Sequence, residues 1–184
     1  SIEPNSTVVI IGDNARGRDE LLQVIAGILP PKGGNIHRNE TTRLEYVTPT
    51  FSGQEIENIE HKTIRELFYE ARGIEGMEDQ IGTLYQLGIN DPKALDAAGN
   101  LQITFEALGG YEASTEVEQI LDGLNVRGSE HDDITSDTNV TSLSSGQISK
   151  IIIGKALFSR AGVIAMDDPS VHLDVRSKKW LENY

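Results

Sequence analysis

The sequence predicts an α/β fold: a mostly parallel sheet core with a helical subdomain inserted between its early and late strands. Three observations carry this expectation. Residues 7–11 (Thr, Val, Val, Ile, Ile) form a short β-branched run of the kind that suits a strand covered on both faces, and a glycine-bounded turn and a helical pattern follow it. A second apolar run at 163–166 (Val, Ile, Ala, Met) ends in Asp167, Asp168 and Pro169. Between the two, the apolar residues recur at helical spacing. The organisation expected is one domain over 1–184, with its core in 1–50 and 160–184 and the helical subdomain at about 55–159.

Each element has its own signal. After the polar turn 12–17, Leu21, Leu22, Ile25, Ala26 and Leu29 mark a helix from Asp19 that ends before Pro30-Pro31. Thr63 and Glu66 make a capping box ahead of Ile64, Leu67, Phe68 and Ala71. Residues 77–87 carry Ile81, Leu84 and Tyr85 at similar spacing. Asp91-Pro92 starts the next helix, with Asp as the cap and Pro in the first turn; it runs through Leu95, Ala98 and Phe105 to Gly109-Gly110. A further helix over 114–124 presents Val117, Ile120, Leu121 and Leu124, and the acidic stretch 128–141 reads as a loop. Ser144 and Gln147 form a second capping box, before a helix with Ile148, Ile151, Ile152 and Ala156 inward and Lys150, Lys155 and Arg160 outward.

Composition narrows the function classes. With 38% hydrophobic and 24% charged residues the chain is of ordinary globular make-up, and it has no internal repeat or low-complexity segment. The excess of 29 acidic over 16 basic residues, a net charge of −13, disfavours a nucleic-acid backbone as partner unless a basic patch is concentrated locally. The absence of cysteine excludes disulfides and thiolate metal sites. No run approaches the length of a membrane span and no signal peptide opens the chain, so a cytoplasmic protein is expected. His37, His61, His131 and His172 lack metal-type spacing.

Three segments can carry chemistry. Residues 12–19 (Gly-Asp-Asn-Ala-Arg-Gly-Arg-Asp) keep the glycine spacing of a phosphate-binding loop, in which backbone N–H groups and a helix start cradle phosphates. Arg18 stands where such a loop has lysine, and Asp19 where it has the hydroxyl that binds Mg²⁺. An ordinary strand–turn–helix connection reads the same way. Ser144, Ser145, Gly146 and Gln147 make a hydroxyl-rich helix start suited to a phosphate, or simply a capped helix. Asp167 and Asp168 lie at the end of a buried strand, where open α/β sheets bind ligands; a solvated strand end is the plain alternative.

In combination, a phosphate loop, Leu143-Ser-Ser-Gly-Gln147 about 130 residues on, and an apolar strand ending in acids about 20 residues later resemble the ATP-binding cassette (ABC) superfamily. Ser1-Ile-Glu-Pro4, Leu108-Gly-Gly-Tyr-Glu112, Ile120-Leu-Asp-Gly-Leu124 and Asp168-Pro-Ser-Val-His-Leu-Asp174, reaching Trp180 to Tyr184, are similar to the first cassette of ABC-F proteins. Those proteins carry two cassettes and act on the ribosome.

The resemblance implies ATP and Mg²⁺ as cofactors and a second cassette as partner. Gly12, Asn14, Gly17, Arg18 and Asp19 fall at the phosphate-loop positions, and Ser144, Gly146 and Gln147 at the signature. Asp167 takes the place of the Mg²⁺-side acid, Asp168 of the catalytic, water-orienting acid, and Asp174 of the D-loop acid. The departures concentrate in the loop and at Asp168. A carboxylate next to the β-phosphate costs on the order of a kcal/mol or more. Asp168 for glutamate shortens the reach by one carbon–carbon bond, and misplacement on that scale costs about a hundredfold in rate.

No glutamine lies near residues 46–50, where the family has its Q-loop, and Gln54 is further along. The resemblance also implies that the fragment is incomplete at both ends, lacking an adenine-stacking strand before it and a switch histidine after it. The expected function is an ABC-F-like cassette coupling nucleotide state to a ribosome-related conformational change, with hydrolysis at its own loop left open. The alternatives are a non-hydrolysing module that completes a partner's site, or the nucleotide-binding subunit of a transporter. The arm-like segment 77–110 is poor in Lys and Arg, so strong direct RNA contact is not expected.

Overall fold

The computed structural model describes residues 2–3, 6–12, 15–39, 41–48, 58–128 and 133–184. In chain order the elements are α1 (Ala15–Ala26), β1 (Leu44–Val47), α2 (Ile64–Arg72), α3 (Met77–Gly88), α4 (Pro92–Ala107), α5 (Ala113–Gly123), a 3₁₀ turn (Val140–Ser142), α6 (Ser145–Phe158), β2 (Val163–Met166) and α7 (Val175–Asn183). β1 and β2 pair in parallel, with Leu44 opposite Val163 and Val47 opposite Met166, so the whole helical part is the crossover between them. The pairing continues past the strands, where Asp167 N–H donates to Val47 O at 2.8 Å. This brings Asp167 to the carboxyl end of both strands.

The cap signals in the sequence act as expected. Thr63 and Glu66 close the capping box on α2, and Gly73 ends that helix in the left-handed region at φ 79°, which costs glycine nothing. Asp91 caps α4 ahead of Pro92, and Ser144 and Gln147 close the box on α6. α3 and α4 form a hairpin, with the Gly88 backbone against Leu95 and the Tyr85 hydroxyl donating to Gln102 Oε1 at 2.5 Å.

The core lies where α2, α5 and α6 meet. Phe68, Phe158, Ile64, Leu67, Ile120, Leu121, Leu124 and Ile151 are fully buried there, and Val47 and Leu173 join from the sheet side. Each such side chain contributes about 1.5–3 kcal/mol of burial. Gly154 lets the helices close: a Cβ there would stand 2.8 Å from Ile120 and 2.9 Å from Phe68. Arg72 crosses the same junction. Its Nε donates to Phe158 O at 2.9 Å, its guanidinium lies 3.4 Å above the Phe158 ring, and Glu116 sits 2.7 Å from it. Among the described residues, no helix is long and apolar enough to cross a membrane.

Three expectations need correction. Residues 7–11 form no strand: the sheet of the described residues holds only β1 and β2, and Val8, Val9 and Ile11 are exposed. A β-branched run becomes a strand only when a neighbour takes its backbone hydrogen bonds. Instead the sheet uses 44–47, a four-residue segment whose pattern gave no signal of its own. The first helix begins at Ala15, inside the expected turn, and ends at Gly27 in the left-handed region at φ 80°. Lys150 does not face outward; its side chain is 12% exposed, with the amine bonded internally.

Candidate functional site

α1 packs across β1 and β2, which sets its first turn over the carboxyl end of the sheet. Arg18 and Asp19, both half-buried, therefore come close to Asp167. Burial pushes the Asp167 carboxyl above its usual range, the charges of Asp19 and Asp168 push it further, and Arg18 offsets part of the rise. Tyr46 on β1 borders the same cluster. Its phenol is raised by burial and by the carboxylates of Asp167 and Asp19, against a hydrogen bond with Gln23 on α1.

Asp168 adopts the left-handed backbone at φ 41°. A non-glycine residue there costs about 1–2 kcal/mol. The turn gives two compensating bonds: the Ser170 hydroxyl donates to Asp168 Oδ1 at 3.1 Å, and Val171 N–H to Asp168 O at 3.3 Å. Below the acids lies a small cleft lined by Val47, Thr48, Ser149, Asp167, Asp168 and His172. Sequence reasoning grouped His172 with the acids, four residues on from Asp168, but missed Thr48 and Ser149, which come from distant parts of the chain with no local pattern to link them.

Gly12 and Gly17 are exposed, the latter within α1, and Asn14 lies outside the described residues, as do residues 49–57 around the expected Q-loop. The signature positions do not join the acid cluster. Ser144 N–H donates to Gln147 Oε1 at 2.8 Å, Gln147 N–H returns to Ser144 Oγ at 3.3 Å, and Gln147 Nε2 donates to Val126 O at 3.2 Å. Gly146, in the first turn of α6, has open space where a Cβ would be. Asp174 caps α7 by accepting from Ser177 N–H at 2.9 Å, and it also accepts from Lys150 at 2.8 Å. The bond from Lys150, joined by those from Ser177 and Asn125, holds its carboxyl far below the usual range.

A family model described as ABC transporter matches residues 1–171. The chain belongs to this family. It is an ABC ATPase domain close to the ABC-F group. The ABC transporter ATP-binding protein YfmR of Bacillus subtilis is 30% identical over 100% of this chain and 28% of its own length. The energy-dependent translational throttle protein EttA of Mycobacterium tuberculosis is 26% identical over 100% of this chain and 31% of its own. A metal-chelate-type ABC transporter solved in an inward-facing conformation shares the fold, with a TM-score of 0.50 and 23% identity over 94% of this chain and 53% of that one. The chain spans about a third of the length of the curated relatives it matches.

Family membership implies ATP with Mg²⁺, so the loop's residues can be tested for fit. At the start of α1 the Asp167 carboxyl is raised first by burial and then by the charges of Asp19 and Asp168, with Arg18 offsetting part of the rise. A triphosphate would add several negative charges to a place short of positive ones. Among the described residues no group of three or more His, Asp or Glu side chains is placed to hold a metal ion. Among the described side chains, the carboxylates work against a bound magnesium triphosphate and Arg18 works for it.

Proposed function

We propose that this domain is an ABC-F-like cassette, the first of a pair, acting in the cytoplasm, that binds ATP poorly at its own loop and offers its signature edge to a second cassette. One contrast carries this reading: burial and the charges of Asp19 and Asp168 together raise Asp167 beside the α1 end, whereas the half-buried Gly146 on α6 has no described residue against its Cβ position. Glycine in a helix costs about 1 kcal/mol relative to alanine, and among the described residues no neighbour requires one there. Room for a close approach from outside is the remaining use, and the Ser144 cap leaves a helix start pointing the same way.

The nucleotide state of such a pair would be coupled to a conformational change on the ribosome, as the name of EttA suggests for that relative. The α3–α4 hairpin has Glu78, Asp79, Asp91, Asp96 and Glu106 against Lys93 alone, so we assign it no strong contact with RNA. The crowded acids also favour a second reading, in which this cassette hydrolyses nothing and serves only as a regulatory module completing its partner's site.

ATP affinity and turnover test the proposal. Weak binding and slow turnover are expected, with Arg18→Lys plus Asp19→Ser tightening nucleotide binding by about tenfold, the equivalent of about 1.4 kcal/mol. Micromolar binding with brisk turnover in the unaltered loop would overturn it. No nucleotide binding together with an active partner cassette would select the second reading.

A further inference from the structure

Lys150 lies one turn along α6 from the signature residues, and it makes two bonds that leave its own helix. Its amine donates to Asn125 O, just past the end of α5, at 2.9 Å and to Asp174 Oδ2, at the start of α7, at 2.8 Å. Asn125 closes the triangle, its side-chain amide donating to Asp174 Oδ2 at 3.1 Å while its backbone sits at φ 50°. Beneath, the fully buried Ser177 donates from its hydroxyl to Leu124 O at 2.7 Å and lies 3.1 Å from Asp174 Oδ1. Both oxygens of Asp174 are thus committed within this chain. A lysine with 12% exposure is held at a fixed place only when its donors are used, as they are here.

We propose that Lys150 is a positioning residue that locks the start of α6 to the start of α7, so that the Ser144–Gly146 edge and the 170–174 turn reach a partner cassette as one rigid face. The inference rests on the reading of that edge as half of a nucleotide site. It assigns Asp174 a role within its own domain, as the anchor of the lock, in place of a reach across to the partner.

Hydrogen–deuterium exchange of the full-length protein tests the lock without requiring activity. The amides to follow are Gln147 and Ile148, bonded to Ser144, and Ser177 and Lys178, bonded to Asp174. In the wild type the two pairs should open together. Lys150→Met keeps the aliphatic stem and should speed exchange at Ser177 and Lys178 by about tenfold, with the 151–157 amides unchanged. Lys150→Arg should return them to within about threefold of the wild type. Asp174→Asn retains a good cap and loses the charge pairing, so it should reproduce Lys150→Met. Wild-type exchange in Lys150→Met would overturn the proposal, as would uniform acceleration through α5, α6 and α7, the mark of a purely structural role.

ATP turnover of the same proteins separates the two claims, with Gly146→Glu as the probe of the edge. Loss of turnover in Gly146→Glu, with a lowered kcat and unchanged KM in Lys150→Met, supports both. Undiminished turnover in Gly146→Glu overturns the reading of the edge, and the inference with it. Loss in Gly146→Glu with wild-type kcat in Lys150→Met overturns the lock alone.

Discussion

Single side chains at the end of β2 show how one position senses several elements. The Asp167 carboxyl is raised by burial and by Asp19 and Asp168. A carboxyl with a higher pKa in the folded than in the unfolded state destabilises the fold when ionised, and that penalty fades as pH falls through the raised value. Asp167→Asn should therefore raise the urea midpoint at pH 7, with the advantage closing as the pH falls toward about 4 and absent below it. Denaturation curves of both proteins across that range decide it; equal midpoints at pH 7 would contradict the crowding. The pair Asp167-Asp168 was legible in the sequence because it follows an apolar run. Its approach to Arg18 and Asp19 was legible only through a resemblance, since well over a hundred residues separate them. A glycine also decides a contact at this scale. A Cβ on Gly123 would collide with the indole of Trp180, so α5 and α7 meet backbone to indole. Gly123→Ala should lower stability by about 1–3 kcal/mol, the usual cost of overpacking, read by chemical denaturation.

Among the elements, α6 has most depending on its start. Its capping box satisfies two backbone donors reciprocally, and Gln147 also bonds Val126. Ser144→Ala should cost about 1 kcal/mol and expose the first-turn amides to exchange, a result that thermal melting and hydrogen exchange report independently. The start of α7 has the opposite pH behaviour to Asp167. The Asp174 carboxyl is held far below the usual range by Lys150, Ser177 and Asn125. Its stabilisation is complete above the unfolded value and is lost as pH falls below about 4. Asp174→Asn should flatten that acid limb, measured as the change of urea midpoint between neutral and acid pH. The start of α6 was readable from residue type and spacing, because a cap acts within four residues of itself; the α7 start at Asp174 was not read as a cap. The inward turn of Lys150 was not readable, because its partners lie on α5 and α7.

Across the whole molecule, one core joins the helical crossover to the sheet. Arg72 ties α2 to α5 and α6 through Glu116 and Phe158, and Arg160 shares the Glu116 carboxylate at 3.1 Å. Removing one member of a buried pair costs about 3–5 kcal/mol. Because Glu116 keeps Arg160, Arg72→Met should fall at or below the low end of that range in chemical denaturation. Loss of more would show that the carboxylate depends on Arg72 alone. The parallel pairing of β1 with β2 then fixes where the acids emerge, and the packing of α1 on both strands fixes what faces them.

The sequence by itself determined the helices α2 to α6, the caps of α2, α4 and α6, the second strand and the family pattern of loop, signature and acids, since each rests on periodicity or on residues close together in the chain. Tertiary structure alone decided that 44–47 rather than 7–11 pairs with 163–166, that Arg18 and Asp19 crowd Asp167, and that Lys150 turns inward to Asp174. Strand pairing, electrostatic coupling and buried hydrogen bonds depend on which distant partner arrives, and that is settled only when the helical crossover packs.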